Sequence, residues 1–426
     1  MSNSLESPEI DEGAGYIGYH AALELVIDSV RPIGIEEIKI FDGTGRITAE
    51  EIIAKINNPT YDVSLKDGFA VRSADVASAS FTAPVRLRVI GNAFAGVPFT
   101  GVVPSGTAVS ICSGSPIPPG ADAVVSIEFC MAISPDVLAK ADAEPGRNIL
   151  RAGEDIRAGS TIVDQGNILL PGVMGLIAAA GIDRIKVFRK PEVAIIAIGD
   201  EVVAPGSSLK PGQLYASNMV TTGAWLDSFG IPFRNGIIGD DKTAIRREIL
   251  SILPHVDAII TSGGAWGSER DMVAGVLDEL GWQKLFHHVR MGPGKGIVFG
   301  LLKGKPVFCL PGGPASNEMA FLQFALPGIL HISGYNRNPL PIVSAILTED
   351  IKGRHPKWTE FKDAILSQDK NGNYTVTPYR DRSRLQAIAR TNCLICLPEG
   401  KKELLRGDII AVQVLAPSLG GLATTF

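Results

Sequence analysis

The stretch HVDAIITSGGAWGSERD, residues 255–271, runs from an apolar segment through two adjacent glycines to a tryptophan and an acid. A plain turn needs less than this. In an open α/β sheet, ligands bind beyond the carboxyl ends of the strands, and glycine there lets the backbone come close to one. The segment therefore predicts a buried strand feeding a ligand loop. Around it, the apolar runs EVAIIAIG (192–199), IPFRNGIIG (231–239) and KPVFCLPGGP (305–314) alternate with the helix-like ASNMVTTGAWLDSFG (216–230), DKTAIRREILSIL (241–253), DMVAGVLDELG (271–281) and ASNEMAFLQFALPGILHISG (315–334). KLFHHVRMGPGKG (284–296) reads as one strand and its loop. Continuous apolar strands alternating with helices predict a doubly wound, mostly parallel α/β domain.

Working outward, VRLRVIG, GTAVSICSG and ADAVVSIE are short strands separated by Pro- and Gly-rich links, the texture of a small β domain. Segments 14–30 and 170–182 read as helices. So does 47–56, where Thr48 can cap and Glu51 can close a capping box. PIVSAILTED, FKDAILSQ, YTVTPY, NCLICLP and DIIAVQVL predict a C-terminal β domain. The expected division is an α-rich linker and dimerisation region (1–58 with 149–188), an inserted β domain (59–148), the α/β domain (189–337) and a C-terminal β domain (338–426).

The 426 residues exceed what one core serves. A net charge of −5 argues against nucleic-acid binding, which calls for a basic face. No apolar run is long enough to span a membrane, and the polar, acidic N-terminus is unlike a secretory signal. Five scattered cysteines form no disulfide framework. A cytoplasmic protein is expected.

Four glycine loops fall at or near strand ends: IGDE (198–201), TSGG (261–264), GPGKG (292–296) and LPGGP (310–314). Each alone is explained by a tight turn; four on one edge, with Lys295 and Arg290 nearby, suit a phosphorylated ligand. They fit neither the P-loop nor the dinucleotide spacing. Glu201, Asp240, Asp241 and Asp271 follow successive strands, where carboxylates can hold a hard cation or, for the aspartates, cap helices. Asp67 precedes Gly68, either as a turn or as an acid offered to a site elsewhere. The Cys-x-x-Cys at 393–396 lies in an apolar strand and reads as core; Cys112, Cys130 and Cys309 read as buried thiols. His287 and His288, being adjacent, should face opposite sides of their strand.

DGFAVRSAD (67–75), PGRNILRAGEDI (145–156), AIGDEV (197–202), PGQLYASN (211–218), TSGGAWGSERD (261–271), MGPGKG (291–296), LPGGPASNEMAF (310–321) and the tail RLQAIARTNCLICLPEG occur in an order that resembles the molybdopterin molybdenumtransferases, the MoeA and gephyrin E-domain family. The resemblance implies a four-part, dimeric subunit with a site shared between subunits. It implies insertion of molybdate (or tungstate) into adenylated molybdopterin, with Mg²⁺ present and AMP released. It matches Asp67, Asp155, Glu201, Asp240 and Asp271 to catalytic acids, the last three also to the metal. Thr261, Ser262, Gly263 and Gly264 match the pterin-phosphate loop. Arg290, Gly294 and Lys295, with Pro311, Gly312, Pro314 and Ser316, match the oxyanion side. A client molybdoenzyme is a further implied partner. The chain departs from the family pattern where Gly292 stands for a lysine, Gly313 for an asparagine and His288 for a lysine, with Arg290 placed to restore charge, and where SGGAWGSERD puts Trp266 and Arg270 into the pterin-phosphate loop. A non-catalytic pterin carrier and a receptor-clustering scaffold are the competing readings.

Overall fold

The computed structural model describes residues 15–263, 272–380 and 383–415. The chain divides into two compact units. One comprises the residues up to Glu36 with those from Phe188 onward; the other is Glu37–Val187.

In the first unit, α1 (Tyr19–Ser29) precedes a six-stranded sheet whose first strand is β1 (Val193–Ile198). Every residue of β1 is buried because both faces are covered. Val193, Ile195 and Ala197 enter a core shared with α1, α2 (Ser217–Ser228) and the helices after residue 313. Ala194, Ile196 and Ile198 enter a second core with the helices Lys242–Ile252 and Met272–Glu279. The elements then run β2 (Phe233–Ile238), α3 (Lys242–Ile252), β3 (Ala258–Ser262), α4 (Met272–Glu279), β4 (Gln283–His287), β5 (Val289–Gly292), β6 (Val298–Leu302), β7 (Lys305–Leu310), α5 (Pro314–Ala320) and α6 (Leu326–Ile332). The sheet order is β2-β1-β3-β7-β6-β4. The pairs β1–β2, β1–β3 and β3–β7 are parallel, and the last two strands add antiparallel. The strand order reverses between β1 and β3, which puts the topological switch point there. The mostly parallel, doubly wound reading is therefore correct.

Residues 284–296 are not one strand. β4 closes the α/β sheet, while β5 leaves it and pairs in parallel with Ile17–Gly18 on one side and with β9 (Thr359–Gln368) on the other. His288, between them, has φ 67°. That left-handed residue breaks strand alternation, so the rings of His287 and His288 stack at 3.7 Å instead of facing opposite sides.

The C-terminal strands are β8 (Ile342–Leu347), β9, β10 (Tyr374–Pro378), β11 (Cys393–Leu397) and β12 (Ile409–Val414), with α7 (Arg384–Arg390) before β11. They follow the order β9-β10-β8-β12-β11, and β11 pairs back onto β9. Five strands thus close on themselves around Val376, Cys393, Ile395 and Val412, which removes exposed edges. Cys393 is a core residue, as read; Cys396 packs partly buried against the neighbouring core.

In the second unit, a six-stranded sheet is built from Ala123–Ser126, Gly68–Val71, Thr107–Ile111, Val85–Ala93, Asp136–Ala139 and Cys130–Ile133, in that spatial order. A second core gathers Ile40, Ile52, Leu169, Ile177 and Val187, with the helix Pro171–Ala179 upon it. The helix expected over 47–56 does not form. Ile52–Ile53 is a strand paired with Thr161–Val163, a choice that suits β-branched isoleucines. Thr48 is fully buried, and its hydroxyl donates to the Asp164 carbonyl at 2.8 Å. It anchors a loop and caps no helix. Cys309 is buried as expected, whereas Cys112 and Cys130 are only half-buried.

Candidate active site

The glycine loops meet at the carboxyl ends of β1, β3 and β7. Gly263 has φ +98°, and a Cβ there would run into the Ile198 carbonyl. A Cβ on Gly312 would lie 3.9 Å from the Gly263 Cα. At Gly263 only glycine permits this close approach of the loop backbones. The fourth loop comes back to the same place although its strand belongs to the other sheet: the Cβ position of Gly294 is 3.4 Å from the Ser316 carbonyl oxygen and 3.3 Å from the Ala320 nitrogen of α5. Pro311 and Pro314 flank the glycine pair, Pro314 as the first residue of α5.

Two asparagines that the sequence reading passed over hold these loops together. Asn317 Nδ2 donates to Ser262 Oγ at 3.0 Å and to the Pro311 carbonyl at 2.9 Å. Asn218 Nδ2 donates to the Gly312 carbonyl at 2.8 Å and to Ser262 Oγ at 3.3 Å. Ser262 Oγ thus accepts two amide donors, and its own proton is left for an anionic acceptor. Each asparagine lies early in a helix that follows a loop, a position where its signal is shared with ordinary turn residues. Thr261 sits on the opposite face of β3 from Ser262. It is fully buried, and its hydroxyl has no partner among the described residues.

The acids gather beside β1 and β2. Asp240 N donates to Asp200 Oδ1 at 3.0 Å, and Asp200 N to Asp240 Oδ2 at 3.4 Å. Asp200 is a third residue missed in the sequence. The Glu201 carboxylate folds over Gly199, whose Cβ position is 2.6 Å from Oε2. Asp241 caps α3 by accepting from Ala244 N at 2.6 Å, so it is structural; Asp240 caps nothing. Asp271 and Gly264 lie outside the described residues. Among the described residues no three His, Cys, Asp or Glu form a metal-holding group. Asp200, Glu201 and Asp240 bring carboxylate oxygens, the ligand type that hard cations prefer, on two adjacent loops, but among the described residues they do not gather into such a group.

The cations are distributed unevenly. Arg290 NH1 donates to the Tyr16 carbonyl at 2.8 Å, and its NH2 pairs with Glu399 Oε1 at 3.3 Å. Lys295 Nζ lies 5.6 Å from the centre of the Trp358 ring, within cation–π range. Burial, then the neighbouring His287 and Lys295, pushes the His288 imidazole down to about 4, so it carries no charge at neutral pH.

The second unit holds the other two predicted acids. Asp67 is exposed, and its Oδ1 accepts from Ser113 N at 2.7 Å. Gly68 is not a turn glycine. It lies in a central strand, where a Cβ would strike the Val125 carbonyl. Asp155 is exposed after a loop held by Asn58, whose carbonyl accepts from the Asp155 nitrogen at 3.1 Å.

A doubly wound domain with glycine loops and carboxylates at its strand ends, joined to a small closed β domain, belongs to the class of α/β proteins that place ligands beyond the carboxyl ends of their strands. Comparison with known proteins narrows this class. Three family profiles match in chain order: the MoeA N-terminal region (domain I and II) over 17–181, the probable molybdopterin binding domain over 194–331, and the MoeA C-terminal region (domain IV) over 344–415. The molybdopterin molybdenumtransferase of Haemophilus influenzae is 30% identical over 91% of this chain and 96% of its own length. That of Bacillus subtilis is 32% identical over 90% and 91%. A crystal structure of the molybdopterin biosynthesis MoeA protein of Pyrococcus horikoshii, 26% identical, superposes with a TM-score of 0.81 over 94% of this chain and all of that one. This chain belongs to the MoeA family of molybdopterin molybdenumtransferases.

Proposed function

We propose that the protein catalyses the insertion step of molybdenum cofactor synthesis. Molybdate (or tungstate) and adenylated molybdopterin are the substrates, and AMP leaves. The observation that carries the reading is the crest itself: Ser262, Gly263 and Gly312, pinned by Asn218 and Asn317, adjoin the Asp200, Glu201 and Asp240 carboxylates. Ser262 donates its free proton to a phosphate oxygen of the guest, and the side-chain-free glycines let the pterin-bearing phosphate lie against backbone. Glu201 and Asp240, with Asp271, would hold Mg²⁺, which would offset the charge of the diphosphate. Asp67 and Asp155 complete the acid set. Asp67 acts in the site of a second copy, which makes the working form a homodimer, and the setting is the cytoplasm. Among the described residues no helix is long and apolar enough to cross a membrane.

The test is AMP release from adenylated molybdopterin in the presence of molybdate and Mg²⁺. Wild-type protein should turn over. Asp67→Asn should lose at least about a hundredfold in kcat, the scale of a lost acid–base or electrostatic group, while pterin binding stays intact. An Asp67→Asn protein with full turnover would refute the assignment.

A further inference from the structure

Among the described residues, the charges that face the crest leave a gap. An oxyanion arriving as a dianion needs a cation, yet the cations expected from the sequence are otherwise occupied. Arg290 is paired with Glu399 and with the Tyr16 carbonyl. Lys295 lies against Trp358. His288 is neutral. One guanidinium is placed differently. Arg384, the first residue of α7, is exposed, and among the described residues it makes no ion pair or hydrogen bond. Its NH1 is 3.9 Å from the Cβ position of Gly313. Gly313 neighbours Gly312, whose carbonyl is held by Asn218. Because residue 313 has no side chain, nothing from the loop stands between its backbone and the guanidinium.

The placement gives the crest two ends. Along the sheet, β2 and β1 carry the acids, β3 carries Ser262 and Gly263, and β7 leads to Gly312 and Gly313. Parallel strands are spaced by about 4.8 Å, so the acids and the Gly313 loop are separated by roughly 10 Å, the two strand steps from β1 to β7. A guest can thus put its diphosphate toward the carboxylate and cation end while a second anion occupies the Arg384 end.

We infer that Arg384 is the residue that binds the tetrahedral oxyanion, as a planar fork donating to its oxygens across Gly313. This rests on the functional reading above for the identity of the anion, though not for the existence of the site. The same fork could instead serve a phosphate of the nucleotide, and the experiment separates the two sources. Inorganic molybdate and AMP are titrated separately by calorimetry into the full-length protein, as wild type, Arg384→Ala and Arg384→Lys. The expected result is a loss of molybdate affinity of at least tenfold in Arg384→Ala and a smaller loss in Arg384→Lys, which keeps charge without the fork, with AMP affinity unchanged. In steady state the Arg384→Ala KM for molybdate should rise by the same factor, and the KM for adenylated molybdopterin should stay put. Unchanged molybdate affinity in Arg384→Ala, a loss confined to AMP, or wild-type protein that binds no molybdate would each overturn the assignment. Molybdate binding that depends on Arg384 in a protein releasing no AMP would refute the functional reading and leave the site standing. Arg384 is exposed, so the variant is expected to fold; an unchanged thermal midpoint confirms that the binding loss is local.

Discussion

At the scale of single residues, Gly263 decides most. It has φ +98° and its α-carbon faces the Ile198 carbonyl, so any side chain meets both backbone strain and a collision. Gly263→Ala should destabilise the protein by more than about 2 kcal/mol, the combined cost of a left-handed non-glycine residue and a forced backbone shift. The urea midpoint would read the loss, and AMP release should fall with it; a midpoint equal to wild type would show that the loop relaxes without cost. The adjacent glycines in TSGG, set at the end of an apolar run, make this position legible from sequence. Asn218 and Asn317 are not legible in that way. Their shared partner, Ser262, is 44 and 55 residues away along the chain, and an asparagine at the start of a helix looks the same whether it caps, turns or bridges.

At the scale of elements, α5 carries a buried carboxyl group, Glu318, that is bonded to α2. Trp225 Nε1 of α2 donates to Glu318 Oε1 at 3.1 Å. Burial, partly offset by that hydrogen bond, raises the Glu318 carboxyl to about 7, and Asp363 of β9 adds to the rise. An acid raised by folding gives stability that is complete below its unfolded value and is lost as pH climbs through the folded one. For Glu318 that window runs from 4.5 to about 7. Glu318→Gln keeps the acceptor for Trp225 and removes the titration. Its stability advantage over wild type should grow across that window and level off above it, at no more than about 3 kcal/mol. Denaturant unfolding at pH 5, 6, 7 and 8 measures it, and parallel curves for the two proteins would refute the account. The elements themselves are unevenly legible. Helix α3 follows its hydrophobic period, and strand β1 is legible as a continuous apolar run. Residues 47–56 have apolar spacing that a helix could use, and the decision for a strand comes from Thr161–Val163, more than a hundred residues later. The split of 284–296 turns on one left-handed histidine, which no periodicity announces.

For the whole molecule, the order of the glycine and acid motifs identifies the α/β sheet, and the fold brings IGDE, TSGG, LPGGP and GPGKG to one crest. The role proposed for Asp67 depends on a second copy. Mixing two inactive variants, Asp67→Asn and Glu201→Gln, tests this directly. If one copy supplies Asp67 and its partner supplies Glu201, random exchange of subunits in a closed dimer restores about a quarter of wild-type turnover, since half the dimers are mixed and each has one intact site. No recovery after verified exchange would place both acids in a single chain's site.

The departure of β5 from its parent sheet has a mechanical consequence. This short strand is stitched by main-chain bonds to Ile17–Gly18 on one flank and to β9 on the other, while the GPGKG loop that follows it leans on α5. The closed β domain is therefore no swinging gate. Swivelling it outward would tear the ladder between β5 and β9 or, if β5 went with it, the ladder between β5 and Ile17–Gly18.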